Sequence, residues 1–404
     1  MRTKILTLLC LLGAGILIAQ AQVKTRPAAK KPAAAAAAKK PGATKSSGKF
    51  AILDFDQWIQ HDLFEDANNI YFLDYKNGES NTLRAVDKKT GEVKIVVPRK
   101  TRRRAKILCA GADSSNIYMR LEDIGIVRFN GTDVNTSEVL VKQQPWGDDA
   151  YLVKSMEGSK IITSPNGRYI ALIGINNSLV FDQQEKLITG YYGDAWDGIL
   201  SNNGTLFYHG MENICILPKG QPTPNFRDKK NAIGHKEWKM KEIGNGGGGE
   251  VTAIWRDDVD NVLYVAMGEQ IMRSPMKNMK WEEAYVLPGE NKKFTRVAFS
   301  QKHVFAETDN FEKHYYEWTN KKLEGTPTIT KQMEFETDIV GKEKWTGLER
   351  KEKISSVSSV YCDWNGNFWL REGDGRFFIY NPNGIVGLSA LKGKITKSEL
   401  PPVD

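Results

Sequence analysis

The feature that most restricts the fold of this chain is a short β-rich run, a tight polar turn and another β-rich run, repeated many times. The last copy is the clearest, with apolar runs at 357–363, 368–371, 376–380 and 385–388 separated by Asn-Gly and Asp-Gly turns. These dipeptides are the strongest short-range signals of β-hairpins. The segment therefore predicts four consecutive antiparallel strands.

Similar units recur upstream at intervals of about fifty residues. The second strand of each unit is predicted at 70–74, 117–121, 169–173, 206–210, 263–267, 304–307 and 368–371. A single four-stranded sheet cannot bury both of its faces, so successive sheets must stack around a central channel. The sequence therefore predicts an all-β fold, a β-propeller of seven four-stranded blades spanning residues 50–404. Six or eight blades fit the spacing almost as well.

Two segments resemble known propeller repeats. Residues 360–380, VYCDWNGNFWLREGDGRFFIY, resemble the repeat of bacterial two-component sensor ectodomains, whose core is D-x-x-G-N-x-W-x-G, with Arg371 at the final glycine. Residues 164–171 resemble the repeat of TolB-type propellers, with Asn166 where Asp is usual. The resemblance implies a secreted bacterial β-propeller protein. Each likeness covers one blade and hardly constrains function, which propellers take from their loops.

The N-terminus has the pattern of a secretory signal. Arg2 and Lys4 precede an apolar run, and Ala19 and Ala21 supply a small-x-small cleavage site. The run is shorter than the roughly 20 residues that cross a bilayer. Residues 1–21 are therefore predicted to be a cleaved signal peptide, which leaves no transmembrane span. The expected destination is the periplasm, the outer membrane or the cell exterior.

Residues 22–49 are mostly Ala, Lys, Pro, Gly, Thr and Ser, and they predict a disordered basic tether. Residues 1–49 hold ten basic side chains and no acidic one, which leaves 47 basic against 49 acidic residues in the remainder. The near-neutral body offers no case for nucleic-acid binding. The basic tail is suited to contact with an anionic envelope surface, and a plain solvated spacer is the more common alternative.

The turns between second and third strands should lie on one rim of the ring, together with the links between blades. In six of the seven blades these turns carry acidic residues. They are Glu79, Glu122, Asp123, Glu212, Glu269, Asp309, Glu372 and Asp374. We expect them to form an acidic mouth that engages a basic peptide, a cationic ligand or Ca²⁺; apart from Ca²⁺, the sequence predicts no cofactor. The alternative is that these charges simply solvate the loops.

The link between the third and fourth blades, at 191–197, places aromatic residues beside carboxylates on the same rim. Tyr192, Asp194 and Trp196 would suit recognition of a carbohydrate or a peptide. Packing of Trp196 between blades is the alternative reading. Two Lys-rich insertions, 227–249 and 328–353, are predicted to project as loops that offer variable contact surfaces.

The chain has no metal-ligand cluster, nucleotide loop or nucleophile motif of any strength. We therefore expect an exported, non-catalytic binding or scaffolding propeller of the bacterial cell envelope, with an envelope protein or glycan as its partner. The alternative is a polysaccharide lyase or glycosidase that uses channel carboxylates, such as Glu212 or Glu269, as acid or base.

Overall fold

The computed structural model describes residues 48–55, 58–59, 63–76, 79–97, 106–132, 134–144, 160–174, 177–192, 195–219, 236–243, 250–287, 292–319, 328–343, 345–373 and 375–398. The predicted signal peptide and nearly all of the tether lie outside these residues. Residues 45–404 form one compact unit, and the fold described below is that of this unit.

The described strands form seven antiparallel blades, which confirms the predicted propeller. The first strand, β1 (Phe50–Phe55), belongs to the last blade. Blade 1 contains β2 (Trp58–Ile59), β3 (Phe64–Glu65), β4 (Asn69–Lys76), β5 (Glu79–Asp87) and β6 (Val93–Val97). Blade 2 contains β7 (Ile107–Ala112), β8 (Ile117–Leu121), β9 (Gly125–Arg128) and β10 (Glu138–Lys142), with a short 3-10 helix at Val134–Thr136. Blade 3 contains β11 (Lys160–Thr163), β12 (Tyr169–Ile173), β13 (Asn177–Asp182) and β14 (Leu187–Tyr192).

The second half of the ring follows the same plan. Blade 4 contains β15 (Asp197–Leu200), β16 (Leu206–His209), β17 (Asn213–Leu217) and β18 (Lys236–Lys239), followed by α1 (Met240–Ile243). Blade 5 contains β19 (Val251–Asp257), β20 (Val262–Met267), β21 (Gln270–Pro275) and β22 (Glu282–Val286). Blade 6 contains β23 (Phe294–Phe299), β24 (His303–Thr308), β25 (Lys313–Thr319) and β26 (Thr328–Glu334). A hairpin of β27 (Val340–Lys342) and β28 (Glu349–Lys351) precedes blade 7, which contains β29 (Ser359–Cys362), β30 (Phe368–Glu372), β31 (Arg376–Tyr380) and β32 (Ile395–Ser398).

The closure of the ring differs from the sequence prediction. The fourth strand of blade 7 is β1, which pairs antiparallel with β31 from Phe50 opposite Tyr380 to Asp54 opposite Arg376. The predicted strand at 385–388 is not formed, and β32 instead pairs in parallel with β1. The apolar segment FAILDF is almost wholly buried, so it fills the closing position better than the Gly-containing run at 385–388.

Both predicted insertions contain an outer blade strand, so the prediction of projecting loops is wrong for part of each. Lys236–Lys239 is the outer strand of blade 4, and Thr328–Glu334 is the outer strand of blade 6. Outer strands lie at a sheet edge, where polar and charged side chains are favoured. Their polar sequences, KEWK and TITKQME, therefore resemble those of loops.

The hydrophobic core lies between neighbouring blades. At the junction of blades 7 and 1, for example, Leu53, Phe72 and Trp369 belong to one buried cluster that joins β1, β4 and β30. Each blade covers a face of the next, which is why none of the sheets could be stable alone. This stacking fixes the innermost strands around the channel. Within the described residues, no helix is long and apolar enough to cross a membrane.

One face of the ring, which we call the Asp/Ser rim, carries the turns between first and second strands. In every blade the first strand is followed by an Asp or Ser whose side chain accepts a backbone N–H of the turn. These residues are Asp66, Asp113, Ser164, Ser201, Asp257, Ser300 and Asp363. In blade 7, Asp363 also accepts hydrogen bonds from Asn367 Nδ2 at 2.9 Å and Trp369 Nε1 at 3.0 Å. The motif that resembles the sensor repeat is thus a hydrogen-bonded turn.

Candidate functional site

The opposite face, which we call the channel-mouth rim, carries the turns between second and third strands and the links between blades. A cavity of about 530 Å³ opens there at the entrance to the channel, on the side of blades 4 to 7. Its walls come from the beginnings of the innermost strands β15, β19, β23 and β29 and from the segments just before them. The cavity is therefore built by segments that are distant in sequence and adjacent only because the ring closes.

Trp196 provides the large aromatic surface of this cavity. It lies at the end of the link from blade 3 to blade 4, where its backbone N–H donates to His209 O at 2.8 Å. Its side chain is 45% exposed, whereas the preceding Ala195 is buried. The link is thus fixed by backbone pairing and by Ala195, and the indole ring is left accessible to a ligand.

Asp197 and His209 face each other across β15 and β16 beside Trp196. Asp197 Oδ1 lies 2.8 Å from Lys160 Nζ of blade 3. Burial would raise the pKa of Asp197, but the positive charge of Lys160, the hydrogen bond from Lys160 and that from the Gly198 N–H outweigh burial and hold the pKa below its usual value. Asp197 therefore stays ionised and ties two blades together at the cavity wall.

His209 is almost fully buried, and this burial lowers its pKa more than the nearby Asp197 raises it. Its Nδ1 lies 3.0 Å from Gly210 O, and because a carbonyl can only accept, Nδ1 carries the hydrogen. Its Nε2 has no hydrogen-bond partner in the part of the chain that the structure describes. The ring is thus a neutral imidazole whose Nε2 is buried, and the residue forms part of the cavity wall.

The other wall contributes charges of both signs. Arg296, from β23, is exposed and donates through Nε to Ser358 O at 3.1 Å. Asp309 Oδ1 accepts the backbone N–H of Lys293 at 3.2 Å, which joins a turn of blade 6 to the segment before β23. Glu250 completes the set of carboxylates in the lining. The cavity can therefore bind groups of either charge.

Of the predicted site residues, the structure brings Trp196 and Asp309 together in this cavity. The others in described turns occupy the same rim without lining the cavity. They are Glu122, Asp123, Glu212, Glu269 and Glu372. The remaining four lie outside what is described: Asp194 and Asp374 altogether, and the side chains of Glu79 and Tyr192, whose backbones are in β5 and β14.

Several carboxylates of this rim are engaged within the protein. Glu372 accepts hydrogen bonds from the backbone N–H of Ser355 at 2.8 Å and from its hydroxyl at 2.7 Å. Glu312 lies 2.7 Å from Lys292 Nζ and 3.2 Å from His314 Nε2, and these two partners lower its pKa to about 2. Cations thus accompany the acidic residues around the mouth. The described residues contain no group of three or more His, Cys, Asp or Glu that could hold a metal ion.

The sequence analysis missed His209 and Arg296 as candidate residues of the cavity, and it included Asp197 only as one of the carboxylates in the link at 191–197. Asp197 is the first residue of the innermost strand of blade 4, and Arg296 lies near the start of the innermost strand of blade 6. A search for polar residues at the starts of first strands could have found both of them. His209 ends a second strand and reaches the cavity only through its pairing with Asp197, so spacing gave no signal for it.

The comparisons with known proteins show the fold. No family model matches the chain, and no curated protein matches it. Among solved structures, it is similar to the extracellular domain of a putative one-component system from B. thetaiotaomicron, with a TM-score of 0.50 and 14% identity over 82% of this chain and 39% of that chain. It is also similar to a chain in the Mitotic Checkpoint Complex, with a TM-score of 0.50 and 12% identity over 89% of this chain and 99% of that one. The chain therefore spans about two fifths of the length of that extracellular domain.

Proposed function

We propose that this chain is an exported binding propeller of the bacterial cell envelope that engages a peptide segment of a partner protein at the channel mouth. The observation that carries the proposal is the exposed Trp196 beside charges of both signs in one cavity of about 530 Å³. That volume lies within the range of roughly 300 to 1,000 Å³ found for ligand pockets. The export pattern of residues 1–21 and the fold shared with an extracellular sensor domain support the location.

A peptide fits this cavity because it offers apolar, cationic and anionic groups along one chain. The Trp196 ring would pack against an apolar side chain of the peptide, and Asp309 and Glu250 would attract a basic one. Arg296, which lies on the same wall as Asp309, would pair with an acidic side chain or a backbone carbonyl of the peptide. Complementary charges of both signs select the register of the bound segment more than they add affinity.

The alternative of a glycosidase or lyase has less support in this cavity. A glycosidase needs one carboxylic acid whose pKa is raised so that it can donate a proton. The pKa of Asp197 is shifted in the opposite direction by Lys160. A residue held in the ionised form is suited to binding and positioning, and for this reason recognition is the function that the geometry favours.

The proposal can be tested by selecting peptides from a phage-displayed library against the purified protein and measuring their affinities by fluorescence anisotropy. Trp196→Ala should weaken the selected peptides by about thirtyfold, because buried tryptophans dominate such interfaces. Trp364→Ala is the matched control, since Trp364 is 60% exposed on the Asp/Ser rim; it should leave binding unchanged. Peptides that bind Trp196→Ala as tightly as the wild type would refute the proposed site. Selective retention on a glycan array instead would point to glycan recognition.

A further inference from the structure

The hairpin β27–β28 lies in the link from blade 6 to blade 7, and its base is anchored to the propeller. Ile339, just before the hairpin, is buried in the core shared by these blades, and its carbonyl accepts the N–H of Glu352 at 2.7 Å. Gly341 packs so closely on the Glu352 carboxylate that a Cβ would meet Oε1 at 1.8 Å. Glu352 in turn pairs with Arg376 of blade 7 at 2.6 Å. The base is therefore held by the fold.

The tip of the hairpin is ordered by its own hydrogen bonds. The carbonyl of Glu343 accepts the N–H of Gly347 at 2.9 Å, and the N–H of Glu343 donates to Leu348 O at 2.8 Å. Gly347 adopts a positive φ of 68° in open space, which suits glycine. The Thr346 hydroxyl donates to the Glu343 carboxylate at 2.5 Å. A partner would thus meet a preorganised loop and would not have to order it.

The apolar side chains of the tip are exposed and take no part in the core. Trp345 is 89% exposed and Leu348 is 66% exposed, and Val340 on the neighbouring strand is also exposed. None of these side chains belongs to a hydrophobic cluster formed by the described residues, so they contribute little to the stability of the fold. Large apolar groups kept in water on a structured projection indicate a contact with something outside the chain.

Within the described part of 340–353, basic side chains outnumber the acidic Glu343, Glu349 and Glu352 around this apolar tip. The exposed basic side chains of the hairpin and its flank are Lys342, Arg350, Lys351 and Lys353. Their ion pairs, Arg350 with Glu343 at 3.6 Å and Lys351 with Glu336 at 3.5 Å, are long and solvent-exposed, so they hold the charges weakly. In sequence, the segment 24–49 adds eight basic residues and no acidic one. An anionic surface is the partner whose charge suits both elements.

We propose that the β27–β28 tip docks on an anionic lipid membrane by inserting Trp345 and Leu348 into its interface. Tryptophan favours the membrane–water interface, where its ring is buried and its N–H remains near the polar headgroups. A projecting tip with so few apolar residues could not alone cover the roughly 1,000 Å² that a specific protein interface needs. A lipid surface imposes no such requirement, since it moulds itself around a small apolar projection.

The membrane contact is separate from the cavity and does not depend on the proposed peptide ligand. The two surfaces nevertheless share the channel-mouth rim, because the hairpin belongs to a link between blades. Docking through this tip would bring the edge of the rim to the membrane surface. The cavity would then receive its ligand close to the lipid headgroups.

The test is co-sedimentation of the purified protein with vesicles made of equal parts phosphatidylglycerol and phosphatidylcholine. The double variant Trp345→Ser/Leu348→Ser should bind at least about tenfold more weakly than the wild type, because it removes the inserted apolar area. Trp364→Ser, which removes an exposed tryptophan from the Asp/Ser rim, should bind like the wild type. All variants keep the same N-terminal segment, so its contribution cancels in the comparison.

A second measurement isolates insertion from charge attraction. Vesicles that contain a brominated lipid should quench tryptophan fluorescence in the wild type and in Trp364→Ser, but much less in the double variant. Unchanged vesicle affinity of the double variant, or binding explained by the basic tail with no quenching, would overturn the proposal. So would a wild-type protein that fails to bind these vesicles. Matching circular dichroism spectra would show that every variant is folded.

Discussion

The two rims of the propeller use similar residues for different purposes. The Asp/Ser rim uses them to stabilise turns, and the channel-mouth rim leaves them exposed at a cavity. On the Asp/Ser rim, Asp363 uses both carboxylate oxygens to bind its own turn. On the channel-mouth rim, Asp309 accepts one backbone N–H and remains exposed in the lining of a cavity. The Asp363 carboxylate is engaged in hydrogen bonds within its blade, whereas the Asp309 carboxylate remains accessible to a ligand.

The same contrast holds for tryptophan. Trp369 is buried and donates its indole N–H to Asp363, so its position is fixed by the blade. Trp196 and Trp345 stand on the channel-mouth rim with their rings exposed. Trp364 on the Asp/Ser rim is also exposed, but Lys88 Nζ lies over its ring, 4.3 Å from the centroid. Large exposed side chains on ordered loops are typical of binding surfaces, so the proposed function is assigned to the channel-mouth rim. Substitutions on the Asp/Ser rim should therefore lower the free energy of unfolding more than substitutions on the channel-mouth rim.

The largest effect is expected for Asp363→Ala. The substitution leaves the buried donors of Asn367 and Trp369 without an acceptor, and it should lower the free energy of unfolding by about 4 kcal/mol. Asp309→Ala, the matched change on the other rim, should cost less than about 0.5 kcal/mol. Urea unfolding followed by fluorescence measures both. Equal losses would mean that the two rims do not differ as described.

The next effect concerns Glu65 on the Asp/Ser rim. Its carboxylate accepts hydrogen bonds from the Tyr361 hydroxyl and the Trp364 backbone N–H, and it pairs with Lys88. Burial outweighs these partners and raises its pKa from 4.5 to about 7. The folded state therefore keeps the proton up to about pH 7, whereas the unfolded state releases it near pH 4.5, so stability from this group falls as pH rises through that interval. The loss is about 3 kcal/mol.

Glu65→Gln should remove this part of the pH dependence of the free energy of unfolding. The difference in that free energy between variant and wild type, followed from pH 4.5 to about 7, gives the contribution of Glu65. The measurement is urea unfolding at a series of pH values. A wild type whose stability relative to Glu65→Gln rises with pH over the same interval would show that the ion pair with Lys88 outweighs burial.

A smaller effect is expected for Glu312 on the channel-mouth rim. Its pKa of about 2, lowered by Lys292 and His314, contributes stability above pH 4.5 that is lost as pH falls towards 2. Solvent screens this partly exposed group, so Glu312→Gln should cost less than about 0.5 kcal/mol at neutral pH. Thermal unfolding at neutral and acidic pH provides the check, and a loss comparable to that of Asp363→Ala would contradict it.

The smallest effect should come from Trp345→Ser. Because its ring is exposed and contacts no core cluster, the free energy of unfolding should change by less than about 0.5 kcal/mol. The same substitution is expected to weaken vesicle binding, so stability and function separate at this residue. A marked drop in the unfolding midpoint would show that the tip supports the fold after all.

Much of the fold could be predicted from the sequence because second strands are apolar and end at recognisable turns. All seven, from β4 to β30, lie where the pattern placed them. The closing role of β1 could not be predicted, since a pairing between chain ends leaves no local pattern. The outer strand β18 was hidden for a different reason, because an edge strand rich in Lys resembles a loop.

The candidate site was less accessible to sequence reasoning. Trp196 and Asp309 could be placed on one rim by counting strands within each blade, but the cavity depends on which blades curve towards each other. Lys160 reaches Asp197 from a neighbouring blade, and no spacing rule relates the two positions. The mixed charge of the mouth follows from such partners between blades, which only the closed ring brings together.

The strand that seals the ring is the earliest part of the propeller to leave the ribosome, while its neighbours β31 and β32 are among the last. Until β31 and β32 are made, the segment FAILDF therefore lacks both of its strand-pairing partners, and it presents an apolar strand edge of the kind that pairs with other chains. The cell that makes the protein must therefore protect these six residues until synthesis ends, because the ring closes through its first strand.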